Sequence, residues 1–166
     1  GCYYRPEAGN LFLIGSEDPE CDPQEWVDPD DFYAGKGGPG KDNQLSEDQW
    51  KAQCYRLARR MPSLQVPNQP NGVVDLYDCS DDWIPIYDKT DLKGFYLAIG
   101  SSGNQYKNAP VVGHMMAQLI DECEKGLDHD KTPFQYKLPH LGRVLDIGFF
   151  SRKREINYNS SFSVNG

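Results

Sequence analysis

Apolar residues occur in two short runs near the start of the chain, at residues 2–5 and 11–15. The turn-forming residues 6–10 lie between them, and this pattern predicts a β-hairpin. Residues 16–45 then break the apolar pattern with many Asp, Pro and Gly residues, including GKGGPGKDN at 35–43. Such a composition predicts a long, irregular, acidic loop.

A first amphipathic helix is predicted directly after this loop. Ser46 and Gln49 have the spacing of a capping box, which places the start of the helix at Ser46. Apolar residues then recur on one helical face, at Trp50, Cys54, Leu57 and Met61. Pro62 ends the helix, and the proline-rich segment 62–71 is predicted to be a connector.

Three later apolar runs predict strands at 73–79, 83–87 and 95–99, and the last of them reads as a buried strand. Pro85 cannot donate a backbone hydrogen bond, which places the second of these strands at a sheet edge or at the end of a ladder. The residues that separate the runs are polar, as connecting turns are.

A second helix is predicted from Pro110, which suits a first helical turn, to about Lys125, with Gly126 just beyond its end. Its inner face carries Val112, Met115, Leu119, Ile120 and Cys123. The pattern as a whole predicts an α+β fold with an antiparallel or mixed β-sheet, two main helices and long loops. Residues 1–126 are expected to form the main part, and residues 127–166 a C-terminal extension that packs on the same domain or on another part of the protein.

Charge and composition narrow the function classes. The chain has 166 residues, 25 acidic against 17 basic residues and a formal net charge of −8. This charge argues against nucleic acid or an anionic membrane as a partner. No apolar run approaches the ~20 residues of a membrane-spanning helix. The five cysteines are widely spaced without a CxxC pair, which favours reduced thiols and a cytoplasmic protein.

The most informative stretch for chemistry is GSSGNQYK at 100–107, which lies between a predicted strand and a predicted helix. Gly100 and Gly103 lack Cβ atoms, so another molecule can approach the main chain closely. Free backbone N–H groups at the helix start, together with the ammonium of Lys107, suit an electron-rich, partly anionic ligand. Alone, the stretch is also compatible with a structural turn that closes a strand–helix unit, because it matches neither G-x-G-x-x-G nor G-x-x-x-x-G-K-[ST].

The order of the sequence pieces adds to this reading. They are YYRPE at 3–7, LFLIGSEDPE at 11–20, the capped helix, GVVDLYDCSDDWIPIYD at 72–88 and GFYLAIGSSGNQYKNAPVVGHMMAQLI at 94–120. This order resembles the C-terminal half of the FAD-dependent oxidoreductases of the D-amino-acid oxidase and sarcosine oxidase superfamily. The resemblance covers roughly residues 1–125. Its most specific part is the family pattern G-x-S-G-x-x-[FY]-K-x-[AS]-P, which Gly100, Ser102, Gly103, Tyr106, Lys107, Ala109 and Pro110 fit.

The resemblance implies a site that binds FAD without a covalent link. The flavin contacts would be Gly100, Ser101, Ser102, Gly103, Asn104, Gln105, Tyr106 and Lys107. Lys107 and Tyr77 would act in catalysis, and Tyr4, Arg5, Tyr77 and Lys107 would bind an amine or amino-acid substrate. The implied reaction is hydride transfer from the carbon beside the amine nitrogen to the flavin, which leaves an imine that water hydrolyses.

Three positions depart from the sarcosine oxidases that the chain resembles. Leu13 stands where those enzymes have a lysine thought to help the reaction with oxygen, and Glu17 stands where their nearby histidine would fall. Asp75 stands where some members have the cysteine that links the flavin covalently. A dehydrogenase is therefore as compatible with the sequence as an oxidase.

The family also begins with a strand and a G-x-G-x-x-G turn that holds the FAD pyrophosphate. GKGGPG at 35–40 has this glycine spacing, but it lies in the predicted irregular loop rather than between a strand and a helix, so it is not read as this motif. The resemblance therefore implies the substrate-side part of a larger enzyme, inactive alone, whose FAD-binding half is supplied in cis or in trans. Two other functions stay open. One is a non-enzymatic module that binds a small molecule, and the other is an interaction domain whose acidic loop docks a partner.

Other chemistry-bearing residues are assigned no role. The three histidines, His114, His129 and His140, do not have the spacing of metal ligands, and no metal site is predicted. The acidic residues Asp78, Asp81 and Asp82 are interpreted as solvated turn residues. The basic residues Arg152, Lys153 and Arg154 are interpreted as a solvated tail or a contact with the FAD-binding half.

Overall fold

The computed structural model describes residues 2–16, 26–36 and 43–160. The chain forms two compact units, Gly1–Leu76 and Tyr77–Gly166. The predicted boundary at residue 126 falls inside the second unit. Parts of the predicted acidic loop, residues 17–25 and 37–42, lie outside the described residues.

The first unit begins with a β-hairpin, as predicted. Strand β1 (Cys2–Glu7) pairs antiparallel with strand β2 (Leu11–Ser16), and Arg5 lies opposite Leu13 in the register. The backbone turns at Gly9 and Asn10, with φ angles of 77° and 61°. Glycine and asparagine tolerate this left-handed conformation better than other residues, which explains why the hairpin reverses here.

Two helices follow in the first unit. Helix α1 (Pro29–Tyr33) lies within the predicted irregular loop, so that prediction is wrong at these residues; the Asp28 carboxylate caps its first turn. Helix α2 (Glu47–Arg60) was predicted, and Ser46 caps it by accepting a hydrogen bond from the Gln49 N–H. Cys54 and Leu57 are buried, and α2 contacts both strands of the hairpin. The apolar face of α2 therefore covers part of an otherwise exposed hairpin.

The second unit contains a hairpin of strands β3 (Ile86–Lys89) and β4 (Tyr96–Ile99), paired antiparallel. The predicted strand at 73–79 is absent from the structure, and Val73 is 93% exposed. The predicted strand at 83–87 starts only at Ile86, because Trp83 has a φ of 60° and belongs to a turn. The expected burial of β4 is wrong too, since Ala98 and Ile99 are exposed.

Helix α3 (Ala109–Glu124) confirms the second predicted helix, with Pro110 in its first turn and Gly126 at a φ of 108° just past its end. Its inner face contributes Met115, Met116 and Leu119 to the core of the second unit, where they meet Tyr87, Tyr136 and Ile147. Val112 and Cys123 pack against this core. The helical spacing therefore identified the buried face correctly, except that it omitted Met116.

A third hairpin, of strands β5 (Gln135–Lys137) and β6 (Val144–Asp146), and a 3-10 helix (Ile147–Phe150) follow α3. The α+β class and the antiparallel pairing are confirmed. Within the described residues the strands form three separate two-stranded sheets rather than one larger sheet, and there are three α-helices rather than two. Many apolar strand residues are exposed, among them Tyr3, Leu11, Ile99 and Val144.

The basic residues near the C-terminus are bound to the second unit, so their interpretation as a solvated tail is wrong. Arg154 forms a salt bridge with Asp82 at 2.6 Å and donates to the Ile84 carbonyl oxygen at 2.7 Å. Arg152 pairs with the buried Asp88 at 3.1 Å and with Asp130 at 2.8 Å. These contacts join residues 151–157 to the hairpin of β3 and β4.

Asp82 is buried, with 2% of its surface exposed, so the interpretation as a solvated turn residue is wrong for it. Its carboxylate also accepts hydrogen bonds from the Ile84 and Asn157 N–H groups. Burial acts to raise the pKa of Asp82, but the hydrogen bonds from Arg154 and the main chain outweigh it and lower the pKa to about 2. A buried carboxylate needs such partners to stay ionised.

We expect Asp82→Asn to lower the free energy of unfolding at pH 7 by about 2 kcal/mol, because it leaves the Arg154 guanidinium without its counter-charge. Asp81→Asn is the matched control, since Asp81 is exposed; its effect should stay within about 0.5 kcal/mol. Urea denaturation followed by tryptophan fluorescence measures both changes.

The pH dependence gives a second readout of the same pair. Because the folded-state pKa of Asp82 is depressed, its contribution is complete above the ordinary value of 3.8 and is lost as the pH falls toward 2. The difference between wild type and Asp82→Asn should therefore shrink over this range. A difference that is the same at every pH would contradict the assignment.

Candidate functional site

The candidate site is built around a tight turn at residues 100–103, called here the glycine turn, which connects β4 to the approach of α3. Gly100, Ser102 and Gly103 have φ angles of 66°, 50° and 75°. The left-handed region is open to glycine but costs energy for serine. Ser102 must therefore be held in this conformation by its surroundings.

Ser102 is fully buried, at 0% exposure, and both its N–H and its hydroxyl donate hydrogen bonds to main-chain oxygens. Its N–H donates to the carbonyl oxygen of Asp78 at 3.1 Å, and its hydroxyl donates to the Gly100 carbonyl oxygen at 3.2 Å. The buried hydroxyl supports the turn from inside. In this conformation the Ser102 side chain is part of the scaffold rather than of the accessible surface.

The carboxylate of Asp78 holds the neighbouring residue of the turn. It accepts hydrogen bonds from the Ser101 N–H at 3.0 Å and from the Ser101 hydroxyl. Partial burial acts to raise the pKa of Asp78, but the bonds from Ser101 outweigh it and keep the pKa below its ordinary value. Asp78 is thus an ionised anchor for the turn, not merely a solvated acid.

The glycine turn also packs closely against the segment at 80–85. A Cβ atom on Gly100 would lie 3.4 Å from the Ser80 Cβ and 3.8 Å from the Pro85 Cα. These are ordinary van der Waals distances, so it is the positive φ angle that favours glycine at position 100. Ser80 in turn donates a hydrogen bond to the Ile84 carbonyl oxygen at 2.7 Å, which closes the segment on itself.

Beyond the turn, Gln105 ties the loop to the β3–β4 hairpin. Its Oε1 atom accepts hydrogen bonds from the hydroxyl of the buried Tyr87 at 3.1 Å and from Asn108 Nδ2 at 3.0 Å. Its Nε2 atom donates to Asn104 Oδ1. Burial, with a smaller effect of Asp78, raises the pKa of Tyr87, so this hydroxyl stays a donor at neutral pH.

The accessible part of the loop is the approach to α3. Tyr106 is 96% exposed and Lys107 is also exposed, and both lie in a 3-10 turn (Tyr106–Asn108) that leads into the helix. No described acidic side chain forms an ion pair with Lys107. The first turn of α3 contains no acidic residue, and the Asn108 side chain does not cap it. The start of α3 therefore keeps its partial positive charge, with an ammonium beside it.

The number of free backbone donors is smaller than the sequence predicted. The N–H groups of Ser101, Ser102, Asn104 and Asn108 already donate to acceptors within the unit. These groups shape the loop. The surface left for a ligand consists of the Gly103 backbone and the segment from Tyr106 to the start of α3.

The predicted substrate residues of the first unit lie next to each other on β1. Neighbouring strand residues point to opposite faces, so Tyr4 and Arg5 do not share one face of the hairpin. The Tyr4 ring packs toward Phe12 at a centroid distance of 6.4 Å. Arg5 pairs with Glu7 at 3.0 Å, and both side chains are exposed. A substrate carboxylate would therefore compete with Glu7 for Arg5.

Tyr77 belongs to the second unit and is 58% exposed. It directly precedes Asp78 in the chain, so it shares the segment that anchors the glycine turn. Because Tyr4 and Arg5 lie in the other unit, a shared pocket of Tyr4, Arg5, Tyr77 and Lys107 stays a prediction.

The described histidines and cysteines show no sign of metal binding or disulfide formation. No group of His, Cys, Asp and Glu among the described residues is arranged to hold a metal ion. His129 is buried; its Nδ1 accepts the Phe134 N–H at 2.8 Å and its Nε2 lies 3.6 Å from Asp88. Cys54, Cys79 and Cys123 are free thiols. In the described part of the chain, no helix has the length and apolar character to cross a membrane.

Sequence reasoning missed the roles of Asp78 and of the Asp82–Arg154 pair. A signal existed for Asp82 and Asp88, because both lie in the segment GVVDLYDCSDDWIPIYD at 72–88 that carries part of the family resemblance. Both prove to be buried and paired with arginine. Nothing in the spacing of Asp78 and Ser101 indicated that they would meet across 23 residues.

Comparison with protein families identifies the chain. The model of the family described as FAD dependent oxidoreductase, DAO, matches residues 1–119, and the chain belongs to this family. No curated protein and no solved structure matches the sequence. The family resemblance stated from the sequence motifs is confirmed at this level.

The buried His129 gives a prediction for pH dependence. Burial lowers its pKa, and the nearby Asp88 and Asp130 carboxylates offset only part of this effect. The unfolded chain therefore binds a proton more readily, and stability is lost as the pH falls below about 6.5. The free energy of unfolding of wild type should fall more steeply between about pH 7 and pH 5 than that of His129→Gln.

His140→Gln is the matched control, because His140 is exposed in a turn. This variant should keep the wild-type slope in urea denaturation at a series of pH values. If His129→Gln and His140→Gln gave the same slope, burial of His129 would not be its origin.

Proposed function

We propose that this chain supplies the substrate-facing and flavin-facing surface of an FAD-dependent enzyme that oxidises the C–N bond of an amine or amino acid. One observation carries the proposal. The exposed Lys107 ammonium stands beside the start of α3, which has no acidic residue and no side-chain cap, and it follows the glycine turn by four residues, in a member of the FAD-dependent oxidoreductase family. This surface suits a ligand with negative charge at its edge.

The residues present fit one edge of a flavin ring. The backbone at Gly103 has no side chain to block a planar ligand, and the exposed Lys107 ammonium lies beside the start of α3. The ionised Asp78 carboxylate is bonded to Ser101, six residues before Lys107, and it forms no ion pair with the Lys107 ammonium. FAD, when bound, would supply the hydride acceptor of the reaction. Lys107 and the main chain would stabilise the negative charge that develops at this edge.

A non-covalent attachment follows from the residue at position 75. The Asp75 carboxylate accepts a hydrogen bond from the Tyr33 hydroxyl at 2.6 Å and from the Leu76 N–H at 2.9 Å. An aspartate does not provide the thiol that links the flavin in some members of the superfamily. The phosphate-binding part of the FAD site would lie outside these 166 residues, in cis or in trans.

The Lys107 ammonium would also bind the substrate. Lys107 would pair with the carboxylate of an amino-acid substrate, and Tyr77, which precedes the anchor Asp78, would contact the substrate from the neighbouring segment. Tyr4 and Arg5 of the first unit stay predicted substrate residues, and no common pocket with Lys107 is assumed for them. The substrate would therefore be a small amine or amino acid with an accessible carboxylate.

The first test is the presence of flavin in the full-length protein that contains residues 1–166. The purified protein should be yellow, and denaturation should release free FAD that ultrafiltration separates from the protein. A colourless protein that does not take up added FAD would contradict the proposal and would favour a non-enzymatic binding module.

The role of Lys107 is tested with Lys107→Met in the same full-length protein. Loss of a charge-assisted contact should lower kcat/KM for carboxylate-containing amines about 10- to 100-fold, and for neutral amines of similar size much less. Lys93→Met, which removes an exposed cation from the β3–β4 connection, should leave both values unchanged. Equal losses for both substrate types with Lys107→Met would count against a carboxylate-binding role.

A further inference from the structure

We propose that Asp78 is a positioning residue: it holds the glycine turn in the conformation that presents Gly103, Tyr106 and Lys107 to the flavin. This inference rests on the proposed function for the identity of the ligand, but the anchoring itself is a property of this chain. Asp78 touches neither ligand in the proposal and acts only through the turn.

The contacts of Asp78 span the strained part of the turn. Its carboxylate takes the N–H and the hydroxyl of Ser101, and its main-chain oxygen takes the N–H of Ser102. Two successive residues of the turn are therefore fixed to one residue from a distant part of the chain. Hydrogen bonds to an ionised acceptor are stronger than those between neutral groups.

The turn needs such an anchor because of Ser102. A serine at a φ of 50° is strained, and it stays so only where surrounding contacts determine the conformation. Ser102 is also buried and cannot exchange its bonds for bonds to water. The Asp78 main-chain oxygen holds the Ser102 N–H, and the Asp78 carboxylate holds the adjacent Ser101 against a change of the turn that would relieve this strain.

Asp78 is fixed in its own place by the segment that follows it. Ser80 bonds the Ile84 carbonyl oxygen and Asp82, and Asp82 is paired with Arg154. Ser80 also lies against Gly100, so the segment at 80–85 packs directly against the glycine turn. Asp81 is exposed like Asp78, but unlike Asp78 it forms no hydrogen bond or ion pair through its side chain with the described residues.

The experiment measures amide hydrogen exchange in peptides that cover residues 100–107, together with FAD affinity, in the full-length protein. Asp78→Ala should speed exchange of the turn at least about tenfold and weaken FAD binding by a similar factor. Asp78→Asn, which keeps one acceptor, should recover part of both losses. Asp81→Ala should match wild type in both measurements.

Ser101→Ala provides a second variant in case Asp78→Ala does not fold. It removes only the hydroxyl bond, and we expect a smaller gain in exchange, of about threefold to tenfold. If both single variants fold, their effects should be less than additive, because each removes the same contact.

The outcomes separate the two proposals. Unchanged exchange in both Asp78→Ala and Ser101→Ala would overturn the positioning role. Faster exchange with wild-type FAD affinity would confirm the anchor and contradict the placement of the flavin at this loop. Faster exchange with weaker FAD binding in Asp78→Ala, but not in Asp81→Ala, supports both.

Discussion

The candidate site depends on one local constraint, the left-handed backbone of the glycine turn. Gly100 and Gly103 adopt this conformation at little cost, but Ser102 between them does not, and it is buried. The hydrogen bonds that Ser101 and Ser102 donate to Asp78 offset that cost. They also use the donors that a ligand would otherwise find there. The part of the loop that can meet a ligand is therefore its second half, around Tyr106 and Lys107.

A second layer of contacts supports the first. Asp82 and Asp88 are buried carboxylates, and each is neutralised by an arginine from the C-terminal segment. Removing charge from water is costly unless the partner is close and the remaining hydrogen bonds are made, and both conditions hold here. The C-terminal segment thus holds the segment at 80–85, which packs against the glycine turn. This arrangement gives residues 151–157 a structural role in the site, although none of them faces the proposed ligand.

The sequence predicted those features whose physical cause is local. The β1–β2 hairpin and the helices α2 and α3 follow from apolar periodicity and capping, and the order of the sequence pieces together with the motif at 100–110 indicated the family. Features with a non-local cause were missed: Arg154 meets Asp82 across 72 residues, and neither position is unusual alone. A strand needs a pairing partner as well as an apolar run, and among the described residues the run at 73–79 has none. Exposure of β4 depends likewise on which elements cover it.

The central claim is that the loop before α3 faces the ring of a bound flavin. The most direct measurement is an experimental structure of the full-length protein with FAD bound, in which the distance from Lys107 Nζ to the nearest flavin oxygen or nitrogen is read. The account predicts a direct or single-water contact, with Nζ within about 3.5 Å of a flavin atom or of a bridging water. A flavin ring bound elsewhere, with the Lys107 ammonium still in solvent, would contradict it.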